Sequence, residues 1–88
     1  YKACWLRDQK RPFEKEAAMA KLFCSELMGR VADHAVQIHG GYGYMKEYAI
    51  ERYYRDCRAL EIAEGTSQIQ QFLIAREIYK AEGIDIRP

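Results

Sequence analysis

The sequence predicts an all-α fold, an antiparallel helical bundle of three main helices preceded by the end of a fourth. Apolar side chains recur at steps of three and four, residues that end helices separate these stretches, and no stretch is long enough for a strand to be assigned. Because the connections are short, neighbouring helices are expected to run antiparallel. With 88 residues, 49% of them hydrophobic, the chain is expected to form one domain, residues 1–88.

The first two helices are expected at residues 1–8 and 13–39. Arg11-Pro12 interrupts a helix arriving from the first stretch, because proline lacks a backbone donor. The chain begins directly on helical residues, with Tyr1 instead of methionine, so the first helix is interpreted as truncated and the chain as a fragment of a larger one. The expected apolar face of the second helix contains Met19, Leu22, Phe23, Leu27, Val31, Ala35 and Ile38.

Glycines mark the ends of the later helices. Gly40 and Gly41 are expected to end the second helix in the left-handed conformation, and Gly83 is expected to stop the last one. A third helix is predicted at residues 48–58, followed by an irregular or extended link at residues 59–63. The buried side of the third helix is predicted to hold Ile50, Tyr53, Tyr54 and Cys57.

The last helix is predicted to open at Thr66 or Ser67. Either hydroxyl can accept from the first amides of a helix, and Ser67 with Gln70 has the spacing of a capping box. The helix carries a broad apolar surface, which suggests burial against several neighbours.

Charge and composition exclude several classes of function. The 14 Lys and Arg against 13 Asp and Glu give a net charge of +1 with no basic face, which argues against a nucleic-acid partner. No apolar run approaches the roughly 20 residues that span a bilayer. Cys4, Cys24 and Cys57 have no paired spacing and are expected to be reduced and packed. His34 and His39 do not share a helix face, so no metal site is predicted.

Glu64 is the leading candidate for chemistry. It lies in Glu64-Gly65-Thr66-Ser67, where a loop presents a carboxylate next to the start of a helix. A carboxylate that removes a proton beside a carbonyl works best when partly desolvated, and Ile62 and Ala63 are candidates to supply that setting. The structural alternative is that Glu64 only interacts favourably with the helix dipole.

The second candidate is residues 37–44, which contain Gly40, Gly41 and Gly43. Glycine lets the backbone approach a ligand closely. The alternative is a helix stop followed by a turn, and the stretch is neither a Walker loop nor a Rossmann fingerprint.

Three stretches in the same order resemble the C-terminal part of the flavin-dependent acyl-CoA dehydrogenases: residues 37–43, residues 50–56 and residues 62–67. The likeness runs from about residue 11 to residue 80. It implies the family's C-terminal four-helix bundle, with the first helix truncated here. The family's usual tyrosine before the catalytic glutamate is Ala63, so the preferred acyl chain length stays open.

The resemblance also implies roles for individual residues. Glu64 matches the base that takes the α-proton of an acyl-CoA while the β-hydrogen leaves as hydride to the flavin, giving a trans-2-enoyl-CoA. Gly65 matches the position beside the thioester. The positions that match FAD contacts are Gln37, Ile38, His39, Gly40, Gly41, Thr66, Ser67 and Gln68.

The expected partners follow from the same resemblance. They are an acyl-CoA substrate, further copies of the chain in a dimer or tetramer that shares the FAD site, and an electron-transfer flavoprotein. The expected compartment is a reducing one, the cytoplasm of a prokaryote or the mitochondrial matrix. Residues 1–88 alone are expected to be inactive. The alternatives are a non-catalytic helical module for oligomerisation or binding, and an acyl-CoA oxidase-type relative.

Overall fold

A computed structural model describes residues 1–87; Pro88, the last residue of the predicted domain, lies outside the described part. The four α-helices are α1 (Lys2–Asp8), α2 (Glu14–His39), α3 (Ala49–Cys57) and α4 (Ser67–Ala81). Two 3-10 helices cover Gly40–Tyr44 and Arg58–Glu61. Residues 1–87 contain no strand, so the all-α prediction is confirmed. The helices predicted at residues 13–39 and 48–58 begin and end within one residue of α2 and α3.

Glycines end α2 and α4, as the sequence predicts. Gly40 has a φ of 63° immediately after α2, whereas Gly41 is not in the left-handed region. Gly83 has a φ of 79°, and its N–H donates to the Lys80 carbonyl at 3.0 Å. The Ile84 N–H donates to the Tyr79 carbonyl at 2.9 Å, which completes a Schellman motif.

The link after α3 differs from the predicted irregular or extended segment. Its first part is the 3-10 helix Arg58–Glu61. The Ala59 carbonyl accepts from the N–H groups of Ile62 and Ala63, at 3.1 and 2.8 Å. These local hydrogen bonds keep the chain turning, so alternation of apolar and polar residues was a misleading signal here.

Residues 1–22 and 65–87 form one compact unit. Its buried side chains are Leu6, Ala18, Ser67 and Gln70. Ion pairs join Lys2 to Glu16 at 3.8 Å and Arg76 to Glu14 at 3.5 Å. One partner in each pair is largely exposed, and surface pairs contribute about 0–1 kcal/mol each, so they add little to the stability of the unit.

Residues 23–64 form the other compact unit. Ser25, Ala32, Gly43 and Cys57 are buried in it. The Cys57 thiol donates to the Tyr54 carbonyl at 3.2 Å. The buried side chains of this unit are small, so close approach of backbones defines it more than large apolar groups do.

Several side chains predicted to be core are exposed. Tyr53 and Tyr54 are 52% and 48% exposed, and Arg52 lies over the Tyr53 ring at 5.7 Å. The α2 face is also largely exposed, at Met19, Phe23, Leu27, Val31 and Ile38. Helical spacing determines which side chains share a face, but it does not determine whether another element covers that face.

Two further findings concern cysteines and membranes. Cys57 is buried as predicted, but Cys4 and Cys24 are exposed, so the packing predicted for them is wrong; all three are free thiols. Within residues 1–87, no helix combines the length and apolar character needed to cross a bilayer.

Candidate functional site

Glu64 has an unusual backbone conformation. Its φ is 57°, and among the described non-glycine residues only Lys10 shares the left-handed region. Glutamate in that region is less stable than in its preferred conformations by about 1–2 kcal/mol. Such strain is typical of functional sites. The Glu64 side chain is exposed, and so are Ile62 and Ala63, so these two neighbours do not supply the water-poor setting expected of them.

The 3-10 helix before Glu64 is anchored by Glu61. The Glu61 carboxylate pairs with Arg58, and its side chain is only 15% exposed. A Cβ added to Gly29 would lie 3.3 Å from Glu61 Oε1. Gly29 therefore gives this carboxylate room beside α2, and the sequence offered no signal for that contact.

The Gly65 carbonyl, directly after Glu64, accepts two side-chain hydrogen bonds. Lys21 Nζ of α2 donates to it, and Gln70 Nε2 of α4 donates at 3.4 Å. Gly65 itself has a φ of 98°, which favours glycine. A Cβ on Gly65 would lie 2.6 Å from Gln70 Nε2, so the position has no room for a side chain.

Thr66 caps α4 and starts it where the sequence predicts. Its Oγ1 accepts from the Ile69 N–H at 3.2 Å. The predicted capping box of Ser67 and Gln70 is wrong, because Gln70 reaches back to Gly65. The Ser67 hydroxyl is buried and has no hydrogen-bond partner among the described residues. A buried polar atom without a partner is costly, so this hydroxyl is an exception among the buried polar groups of α4.

The glycine-containing stretch, residues 37–44, has one tightly packed position and one exposed surface. Residues 37–41 are exposed, and His39 Nδ1 lies 2.8 Å from the Ala35 carbonyl in the last turn of α2. Gly43 is buried: a Cβ there would lie 2.6 Å from the Val36 carbonyl oxygen. Nothing lies within 4 Å of a Cβ on Gly41. Close approach of backbone within the protein therefore occurs at Gly43, while the space beside Gly41 is open.

This difference predicts that Gly43→Ala is more damaging than Gly41→Ala. The Gly43 methyl must displace backbone of α2, which costs about 1–3 kcal/mol, whereas Gly41→Ala costs under about 1 kcal/mol. Thermal unfolding of a full-length protein carrying this domain measures the ranking. Equal unfolding temperatures for the two variants would contradict the contact at Gly43.

The predicted site residues belong to different compact units. Residues 37–41 and Glu64 lie in the unit of residues 23–64, and Gly65, Thr66, Ser67 and Gln68 lie in the other.

The described residues include no group of three His, Cys, Asp or Glu side chains that could hold a metal ion.

Comparison with known protein families assigns the chain to one of them. The family model described as acyl-CoA dehydrogenase, C-terminal domain, matches residues 1–79. The chain belongs to the acyl-CoA dehydrogenase family. Its relatives include a probable acyl-CoA dehydrogenase, YngJ, of Bacillus subtilis, which is 60% identical over 79 residues, 90% of this chain and 21% of that protein. The caffeyl-CoA reductase-Etf complex subunit CarC of Acetobacterium woodii is 54% identical and covers 91% of this chain and 21% of its own.

A solved structure agrees with this assignment. Butyryl-CoA dehydrogenase from Megasphaera elsdenii superposes with a TM-score of 0.86 at 39% identity, covering 90% of this chain and 21% of the other. The fold is therefore that of the C-terminal helical domain of acyl-CoA dehydrogenases. The chain spans about a fifth of the length of the curated relatives it matches.

Sequence reasoning missed Lys21 and Gln70 in this acyl-CoA dehydrogenase domain. Lys21 lies 44 positions from Gly65, so no local pattern indicates the contact. Gln70 did carry a signal, since a polar residue on the buried face of α4 needs a partner, but the partner was misassigned to Ser67.

Proposed function

We propose that this domain supplies the catalytic base of an FAD-dependent acyl-CoA dehydrogenase, with Glu64 removing the α-proton of an acyl-CoA thioester. The observation that carries the proposal is the left-handed conformation of Glu64, an exposed carboxylate on a backbone that glutamate does not adopt without a reason. In this proposal the activity belongs to the full-length protein, and residues 1–88 alone are inactive.

The proposed reaction removes one hydrogen from the α-carbon and one from the β-carbon of the acyl chain. The Glu64 carboxylate forms an O–H bond with the departing α-proton, and the α-carbon electrons form the double bond to the β-carbon. Bound FAD would supply the acceptor for the β-hydrogen, which leaves with its electron pair as a hydride. The carboxylate needs a water-poor setting, which the substrate and the rest of the protein must provide because residues 62–64 are exposed.

Gly65 and Ala63 bear on the substrate. Gly65 has no side chain, which would let a thioester approach the loop closely, and its positive φ keeps the position to glycine. Ala63 is exposed and small, which would leave room at the acyl end. A panel of acyl-CoAs of increasing length would assign the preferred chain.

The FAD fit is supported by two features of the described residues. Ser67 presents a buried hydroxyl without a partner at the start of α4, where helix amides favour an anionic group such as a pyrophosphate. Residues 37–41 present an exposed surface that is open at Gly41. In the proposal both segments contact FAD, and further copies of the chain complete the site.

Flavin content tests these contacts. We expect Gln37→Ala and Gln68→Ala to lower the flavin bound per subunit, because each removes amide hydrogen bonds to the cofactor. Gln71→Ala, an exposed position on α4, is the matched control and should keep full flavin. Full occupancy in both test variants, measured from the visible spectrum after gel filtration, would remove the assignment of these two residues.

The direction of the reaction and the electron partner are part of the proposal. One relative is named as a reductase subunit in an Etf complex, which supports an electron-transfer flavoprotein as partner and shows that reductases occur among these relatives. The same Glu64 could return the α-proton in that direction, by microscopic reversibility. A reducing compartment, cytoplasm or mitochondrial matrix, agrees with the three free thiols.

The test is an anaerobic titration of the full-length protein. Adding acyl-CoAs should bleach the flavin spectrum, and adding an enoyl-CoA to the reduced protein should restore it. Rapid reoxidation by oxygen instead of an electron-transfer flavoprotein would assign an acyl-CoA oxidase. A protein without flavin and without response would assign a non-catalytic helical module.

A further inference from the structure

In the loop that carries Glu64, the Gly65 carbonyl oxygen accepts hydrogen bonds from the side chains of two helices. The Lys21 ammonium reaches it from α2, and the Gln70 amide reaches it from α4 at 3.4 Å. A carbonyl oxygen has two lone pairs and can accept both bonds. The Gly65 carbonyl belongs to the peptide group between Gly65 and Thr66, so these two donors restrain the backbone directly after Glu64.

We propose that Lys21 and Gln70 are positioning residues for Glu64, which hold the Gly65 carbonyl so that the loop keeps the conformation that presents the carboxylate. The inference rests on the proposed function, in which Glu64 is the base. It adds the restraint on which an exposed base depends, since a carboxylate that moves freely in water has no fixed approach to a C–H bond.

The backbone explains why a restraint is needed. Glu64 and Gly65 have φ values of 57° and 98°, two consecutive residues in a region that glutamate avoids. A loop with this conformation relaxes unless its surroundings hold it. The hydrogen bonds of its neighbours act before and after these two residues, in the 3-10 helix Arg58–Glu61 and in the Thr66 cap. The Gly65 carbonyl bonds act on the strained pair itself.

The side-chain types of Gln70 and Lys21 also support a positioning role. Gln70 is only 6% exposed, and burying an amide is unfavourable unless it is hydrogen-bonded. A methionine or leucine would fill the same space on α4 without that cost. The amide is therefore explained by its bond to Gly65. Lys21 is half-buried, and its charge makes its bond to the same oxygen stronger than a neutral one.

The test uses a full-length flavoprotein carrying this domain. We expect Lys21→Met and Gln70→Met to slow flavin reduction by saturating acyl-CoA by about 10- to 100-fold, while flavin content and the Kd of a non-reacting substrate analogue stay within about twofold. Matched controls are Lys80→Met and Gln71→Met, exposed positions on α4, which should keep the full rate. The α-deuterium isotope effect should rise in the two test variants, because proton removal becomes more fully rate-limiting.

A double-mutant comparison separates positioning from a general structural role. If Lys21 acts through Glu64, Lys21→Met should have little further effect on the residual rate of a Glu64→Gln protein. An additional loss of tenfold or more in that background would overturn the proposal. Unchanged rates in Lys21→Met and Gln70→Met, with Glu64→Gln inactive, would overturn it while leaving the proposed function intact. An active Glu64→Gln protein would instead overturn the proposed function.

A conservative variant keeps the test decisive if Lys21→Met does not bind flavin. Lys21→Arg retains a cationic donor of similar reach and should recover at least a third of the wild-type rate with full flavin. A Lys21→Arg protein that folds and binds flavin but is as slow as Gln70→Met would count against a role for donation to Gly65.

Discussion

Glu64→Gln is expected to slow flavin reduction by acyl-CoA by about 10²- to 10⁴-fold, the usual contribution of a general base. The amide has nearly the same shape as the carboxylate but cannot accept the α-proton. Flavin content should be unchanged, because Glu64 is exposed and forms none of the helix contacts that shape residues 66–68. Stopped-flow absorbance of the flavin under anaerobic conditions measures the rate directly.

Two further variants control this result. Glu82→Gln changes an exposed glutamate at the end of α4 and should leave the rate unaltered. Glu64→Gly should also lose activity, yet without loss of stability, because glycine adopts a φ of 57° readily. Retained turnover in both Glu64 variants would mean that the base lies elsewhere. A Glu64→Gly protein of much lower stability would show that the glutamate side chain has a structural role.

The helices were predictable because the signals that define them are local. Arg11-Pro12 precedes α2, Gly40 follows it, and the Thr66 hydroxyl lies within reach of the first amides of α4. Each signal acts over fewer than five residues, so the sequence alone contains it. The same holds for residues 37–43 and 62–67, whose local motifs are enough to indicate the family.

What the sequence could not predict depends on distant contacts. The bond from Lys21 to Gly65 joins positions 44 residues apart, and Gly29 makes room for Glu61, which is also distant from it in the sequence. The left-handed Glu64 was also unpredictable, since glutamate gives no local signal for that conformation. The prediction that Tyr53 and Tyr54 are buried was wrong for a related reason. Their helix face has an apolar pattern, but no described element of their unit covers it.

Gly65→Ala is expected to damage both stability and activity, and Gly83→Ala is its matched control. Both glycines have positive φ, 98° and 79°, so alanine is strained by about 1–2 kcal/mol at either position. They differ in their surroundings. A Cβ on Gly83 meets nothing within 4 Å, whereas a Cβ on Gly65 lies 2.6 Å from Gln70 Nε2. The loss of stability in Gly65→Ala beyond that in Gly83→Ala therefore measures the energy needed to displace Gln70.

That displacement has a specific consequence. Gln70 is buried, and moving its amide away from the new methyl group breaks the bond to the Gly65 carbonyl, adding about 1–3 kcal/mol for an unsatisfied buried amide. Gly65→Ala should therefore lower the thermal unfolding temperature more than Gly83→Ala and also slow flavin reduction, while Gly83→Ala keeps the full rate. In a Gln70→Ala background the clash is absent, so the stability cost of Gly65→Ala should fall to that of Gly83→Ala. An unchanged cost in that background would show that backbone strain alone reserves the position for glycine and that Gln70 does not hold the loop.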